Sequence, residues 1–279
     1  MNNSYFSDLE AFKVTIDDNG VAEICLKRGR ALNTMNGAFW SELPNIISNI
    51  DKLGSARVMI LSSSGKHFTA GMDLEILKTI NTGKAIEPAR QAEKTRRFII
   101  ELQQIFTQLE SIRMPVIAAI QGACIGGGVD MICATDMRYC TSDAFFTIKE
   151  TALGMAADLG TLQRIQHLIP SGLARELAYT SRPMNAQEAL SSGFVNQVYD
   201  SHEQMLEAVR AIAKTIAMQS PVAVHGTKEM LNYSRDHSLA DSLNFMATWQ
   251  AGMLQSTDLH KAMQAASQKK DPIFDDLLP

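Results

Sequence analysis

The chain has 279 residues, 46% of them hydrophobic, enough for one large core with a helical appendage. Its 26 basic and 30 acidic residues leave a net charge of −4, which argues against a polyanion as the main partner, so no nucleic acid is expected. The four cysteines, Cys25, Cys124, Cys133 and Cys140, form no Cys-x-x-Cys pair and have no histidine at metal spacing, so they read as buried free thiols, with neither a metal site nor a disulfide framework.

Residues 1–10 carry Asp8 and Glu10, lack arginine and hold no apolar run of the kind found in leader peptides, and the ending from Asp275 to Pro279 is not a peroxisomal tail. The expectation from these features is a cytoplasmic protein. Residues 12–16 and 21–26 are β-rich runs joined by Asp17-Asp18-Asn19-Gly20, a hairpin signal. Asn36 is placed to cap a helix through Phe39, Trp40 and Leu43 toward Leu53, with Pro44 as an expected irregularity, and residues 57–62 read as a buried strand. Asp73 is placed to start a helix through Leu77. A long amphipathic helix spans residues 89–112.

The run from Met114 to Ala134 is the most hydrophobic window, yet Pro115, Gln121, three consecutive glycines and Asp130 make it costly in lipid, so no membrane span is expected. It reads as strand 116–120, glycine turn and helix 127–134, followed by strand 137–140. Alternating strands and helices imply an α/β architecture for residues 1–200. Residues 201–279 read as four helices, at 203–218, 221–233, 239–254 and 258–267, whose apolar positions Met246, Trp249, Met253 and Met263 pack on the core or on a partner subunit.

Three acids, Asp130, Glu150 and Asp158, follow the Gly126-Gly127-Gly128 turn in an otherwise apolar stretch, where an isolated buried carboxylate is expensive. Such acids serve chemistry. A second glycine turn, Ala70-Gly71-Met72-Asp73, adds candidate backbone donors, and the set suits proton transfer beside a carbonyl.

Through Gly65-Lys66-His67-Phe68-Thr69-Ala70-Gly71-Met72-Asp73-Leu74 and the segment from Gln121 to Asp130, the sequence resembles the enoyl-CoA hydratase/isomerase (crotonase) family over nearly its whole length. Within the family, the segments 138–150 and 154–164, with Asp158-Leu159-Gly160-Thr161-Leu162-Gln163-Arg164, most resemble the Δ3,5-Δ2,4-dienoyl-CoA isomerases. The resemblance implies a spiral of β-β-α units with a C-terminal helical trimerisation region, assembled as a homotrimer or homohexamer. It implies an acyl-CoA thioester substrate, with CoA part of that substrate and no separate cofactor. The thioester oxygen would lie between the backbone N–H groups of Met72 and Gly127, with Ala70, Gly71, Asp73 and Gly126 against the substrate. Glu150 would take the C2 proton, Asp158 would give one at C6, and Asp130 would tune or orient them.

Asp130 stands where the family's hydratases carry glutamate, one methylene or about 1.5 Å longer. The competing enzyme readings are an enoyl-CoA hydratase and a Δ3-Δ2-enoyl-CoA isomerase; a non-catalytic CoA- or RNA-binding homologue is the alternative from another class. For that last reading the sequence offers the basic cluster Lys94-Thr95-Arg96-Arg97, which reads as a solvated helix face. Lys27, Arg28 and Arg30 stand where relatives carry Asn-Arg-Pro and are the candidates for the CoA phosphates, with Lys269 and Lys270 as alternatives.

Overall fold

The structure, a computed structural model, describes residues 6–76 and 87–279, so the expected end of a helix at Leu77 lies outside the described residues. Strands β1 (Phe12–Ile16) and β2 (Val21–Leu26) form the expected antiparallel hairpin, Phe12 opposite Leu26. At the turn, Asp17 Oδ1 accepts from the backbone N–H groups of Asn19 and Val21 at 2.9 and 2.8 Å, and Gly20 takes φ +81°. Parallel pairing then adds β3 (Val58–Ser63), β4 (Val116–Ile120), β6 (Met137–Thr141) and β9 (Gln197–Tyr199), giving the order β1-β2-β3-β4-β6-β9.

Both faces of this sheet are covered, which is why its central strands read as continuous apolar runs. Val58 and Ile60 of β3 and Ile117 and Ala119 of β4 face helix α7 (His202–Ala217), packing with Met205, Val209 and Ala213. Met59, Leu61, Ala118 and Ile120 point the other way, into the core shared with α1 (Gly37–Leu53) and α2 (Pro88–Ser111). Pro44 lies inside α1 without breaking it, on a helix that buries Phe39, Trp40, Leu43, Ile46, Ile47 and Ile50. That packing outweighs the missing amide donor.

A second, three-stranded sheet in the order β5-β7-β8 is built from β5 (Ala123–Ile125), β7 (Phe145–Thr147) and β8 (Met184–Asn185). Short helices follow: α3 (Gly127–Cys133), α4 (Thr161–Arg164), α5 (Ser171–Thr180) and α6 (Ala186–Ser191). After α7 come α8 (Pro221–Asp236), α9 (Leu239–Met253) and α10 (Thr257–Ser267). Among the described residues, no helix is long and apolar enough to cross a membrane.

Candidate active site

The small sheet brings the acids together. Parallel pairing of β5 with β7 sets Ile125 beside Thr147, and Gly126 N–H donates to Thr147 O at 2.9 Å, so the residues just past each strand are neighbours. Those residues are Gly126-Gly127 on one strand and Lys149-Glu150 on the other. Gly126 adopts φ +53° and ψ −120°, a conformation that glycine alone adopts readily, and a β-carbon there would lie 3.0 Å from Glu150 Oε1. From Gly126 the chain enters α3, which carries Asp130 at its first turn, 2% exposed.

The other glycine turn docks on the same place. Thr69 forms a parallel bridge with Cys124, and Met72 one with Met35, in which Met35 N–H donates to Gly71 O and Asp73 N–H to Met35 O. In this pattern the flanking residues make the bonds, leaving Met72's own N–H pointing away from Met35. Gly127 is the first residue of α3, so its N–H has no intrahelical acceptor. A β-carbon on Gly127 would lie 3.8 Å from Met72 N. Among the described residues, neither amide donates to a protein oxygen, and the two lie side by side. Gly71, at φ +86°, permits this approach, since a β-carbon there would be 2.6 Å from Ile125 O.

All three acids are pushed toward their protonated forms. Burial raises Asp130 to about 7 against the opposing hydrogen bond of the Thr161 hydroxyl, and the charges of Glu150 and Asp158 push it further up. Burial also raises Glu150, with a contribution from the charge of Asp158, and raises Asp158 itself. Asp130 Oδ1 accepts from both Thr161 N–H and Thr161 Oγ1 at 2.7 Å. Glu150 Oε2 is buried without a hydrogen-bond partner. Asp158 is half-buried, and its backbone carbonyl accepts from Gln103 Nε2 of α2 at 2.6 Å. The cluster therefore combines an unbonded carboxylate oxygen, two neighbouring acids inclined to hold protons, and two free amides.

Asp73 Oδ1 accepts from Glu75 N–H at 3.0 Å and caps the turn that follows, while Ala70 N–H donates to Leu32 O at 3.0 Å. That second bond ties the amide turn to the basic loop after β2, where Leu32 and Asn33 both take left-handed conformations, with φ of +53° and +50°. Lys27 and Arg30 are exposed. Arg28 is engaged within the loop, donating to Thr34 O at 2.8 Å. Lys269 and Lys270 are exposed, and Arg97 pairs with Glu93 along α2 at 2.8 Å. Two further residues of the site, Thr161 and Gln103, carry no site signal of their own in the sequence, because their roles depend on contacts 31 and 55 residues away in the chain. A cavity of about 630 Å³ opens between α8 and the core, beside Lys228 and Arg164; none of the three acids lines it.

Residues 17–277 match the family model for enoyl-CoA hydratase/isomerase, and the chain belongs to that family. It is similar to the mitochondrial Delta(3,5)-Delta(2,4)-dienoyl-CoA isomerase of Rattus norvegicus, with 47% identity over 264 residues, covering 94% of this chain and 81% of the rat protein. The peroxisomal isomerase of the same name from Arabidopsis thaliana is 43% identical over 259 residues, covering 92% of this chain and 93% of the plant protein. Among solved structures, an enoyl-CoA hydratase from Bacillus anthracis superposes with a TM-score of 0.86 at 30% identity, over 95% of this chain and 99% of that one.

These relatives overturn the expected cytoplasmic location: they are mitochondrial in rat and peroxisomal in Arabidopsis. One folded domain serves in different compartments, so the features of the chain ends that suggested the cytoplasm carry no such information.

Proposed function

We propose that this chain is a Δ3,5-Δ2,4-dienoyl-CoA isomerase of unsaturated fatty-acid β-oxidation, acting on an acyl-CoA whose CoA is part of the substrate, with no separate cofactor. Glu150 removes a proton from C2 of the 3,5-dienoyl thioester. The electron pair moves into a dienolate, whose oxygen lies between the N–H groups of Met72 and Gly127, each worth about 3 kcal/mol to the developing charge. Asp158 then protonates C6. The C2–H bond breaks, a C6–H bond forms, and the double bonds move to C2 and C4. Lys27 and Arg30, exposed on the loop that Leu32 ties to the amide turn, are the cations available to the CoA phosphates, whereas Arg28 serves the loop itself.

The observation that carries this reading is the Glu150 carboxylate, with one oxygen buried and unbonded, beside the glycine turn and electrostatically coupled to Asp158. Separate proton acceptor and donor sites are what a shift between C2 and C6 requires. The similarity to dienoyl-CoA isomerases over 94% of the chain supports the same substrate class. The exposed apolar residues of α9 support assembly of residues 201–279 into a homotrimer or a pair of trimers.

The test is turnover of a 3,5-dienoyl-CoA followed by ultraviolet absorbance of the conjugated 2,4-dienoyl thioester, for wild type, Glu150→Gln and Asp158→Asn. Loss of activity in both variants is expected. Full turnover in both would overturn the assignment, and hydration of 2-enoyl-CoA without isomerisation would make the protein a hydratase.

A further inference from the structure

Asp130 is the acid of the cluster held most firmly. Both hydrogen bonds to its Oδ1 come from one residue, Thr161, whose backbone N–H and Oγ1 each lie 2.7 Å away. Thr161 opens α4 and is 1% exposed, so solvent does not compete for these donors. Asp130 Oδ2 accepts no hydrogen bond from the described residues. The clamp therefore splits the carboxyl into one saturated oxygen and one free oxygen.

Every titratable group acting on Asp130 disfavours its anion or leaves it unaided. Glu150, from the turn after β7, and Asp158, from the loop before α4, oppose a further negative charge. Cys124 of β5 and Cys133 of α3 are thiols kept neutral by burial. The nearby cations are committed elsewhere: Arg164 pairs with Glu110 at 3.0 Å, and Arg138 donates to the carbonyls of Phe194, Ile132 and Thr135. Among the described residues, no cation forms an ion pair with Asp130. Stabilisation of the Asp130 anion thus falls to Thr161, since hydrogen bonds to a charged group are the strong ones.

We propose that Thr161 is a positioning residue for the isomerisation: its two donors occupy Oδ1 and fix the Asp130 carboxyl, leaving Oδ2 as the one oxygen free for proton exchange within the cluster. This rests on the reading of Glu150 and Asp158 as the proton carriers. Thr161→Val keeps the shape and the backbone donor but removes the hydroxyl, whereas Thr161→Ser keeps the hydroxyl.

The experiment compares rate against pH for wild type, Thr161→Val, Thr161→Ser, Asp130→Asn and the Thr161→Val/Asp130→Asn pair. It adds an infrared difference titration of the Asp130 carboxyl, with Asp130→Asn as the blank. In Thr161→Val the Asp130 titration moves to higher pH by about one unit, the scale of one charge-assisted hydrogen bond. The matching limb of the rate profile moves with it, kcat falls and KM holds. Thr161→Ser restores both curves, and adding Thr161→Val to Asp130→Asn leaves the profile unchanged. Titration curves that superimpose for wild type and Thr161→Val would overturn the proposal. So would an equal shift of the rate profile in the Asp130→Asn background. Should Thr161→Val not fold, Thr161→Ala gives the same comparison. Because the infrared titration needs no turnover, an inactive wild type would overturn the isomerase reading while leaving the clamp measurable.

Discussion

Glu150 Oε1 lies 3.0 Å from the point where a β-carbon on Gly126 would stand. The glycine that begins the turn into α3 thus also makes room for the acid delivered by β7. Gly126→Ala meets two obstacles, the side chain's contact with the carboxylate and a backbone at φ +53°, ψ −120° that an L-residue resists by about 1–3 kcal/mol. Displacing Glu150 by a few tenths of an ångström misaligns it with C2. The expected result is a fall in turnover of about tenfold with the protein still folded, read from steady-state kinetics beside a melting curve.

Gln103 reaches the site from α2 and holds the Asp158 carbonyl at 2.6 Å. It touches the backbone of the acid rather than its carboxyl, so its loss loosens the donor without changing its chemistry. Gln103→Ala should lower kcat about tenfold, the effect of a slightly misplaced proton donor, with KM nearly unchanged. A change confined to KM would assign Gln103 to substrate binding instead.

What the chain displayed as sequence, and what it hid, follow from length and distance. The hairpin at Asn19-Gly20, strands β3 and β4 and helices α1 and α2 were legible because each spans enough residues to show a run or a period. Between residues 141 and 200 the strands β7, β8 and β9 have 3, 2 and 3 residues, too few to alternate visibly, and the helices α4, α5 and α6 have 4, 10 and 6, at most about three turns, so this stretch showed no elements beyond the motif. The acids were readable as charges in an apolar context. Their meeting was not, because it depends on β5 pairing with β7. Thr161 and Gln103 look like any polar residue on a helix until the fold brings Asp130 and Asp158 to them.

The raised Asp130 gives stability a definite slope with pH. Its carboxyl holds its proton to about 7 in the fold but releases it near the ordinary value of 3.8 when unfolded. Between those values the folded state binds the extra proton, so this contribution is complete below pH 4 and is lost as pH rises through 7. Glu150 and Asp158, also raised, act in the same direction. Urea unfolding from pH 4.5 to 8 should show wild type losing stability relative to Asp130→Asn, by a few kcal/mol in all. A constant difference across that range would mean that Asp130 titrates alike in both states.

Lys228, 5% exposed, fastens α8 to the core by donating to Leu109 O at 3.1 Å, Met114 O at 2.9 Å and Asp136 Oδ2 at 2.8 Å. Burial lowers its pKa, and the charge of Asp136 opposes that shift. Lys228→Met fills the space but leaves two carbonyls without their donor and Asp136, partly solvated and still bonded to Val116 N–H at 2.7 Å, without its cation, at about 1–3 kcal/mol. Adding Asp136→Asn removes the orphaned charge and should recover part of that loss. A double variant no more stable than Lys228→Met would show that the charge of Asp136 contributes little.

Along α9, Leu239, Leu243, Met246 and Met253 recur at helical spacing, with Leu239 77% and Leu243 61% exposed. Such a seam on an isolated chain is unfavourable in water, and the other side of α9 already packs on α8. A second copy of the chain is the occupant that the proposed trimer supplies. Leu243→Glu places a charge in the seam, where it would be desolvated on assembly. Sedimentation should therefore show wild type as a multiple of 30.7 kDa and Leu243→Glu shifted toward the single chain. The acids are held by β5, β7, α2 and α4 of the same chain, so the dissociated variant should keep the Asp130 titration even if it loses turnover. Unchanged assembly in Leu243→Glu would remove this face of α9 from the interface.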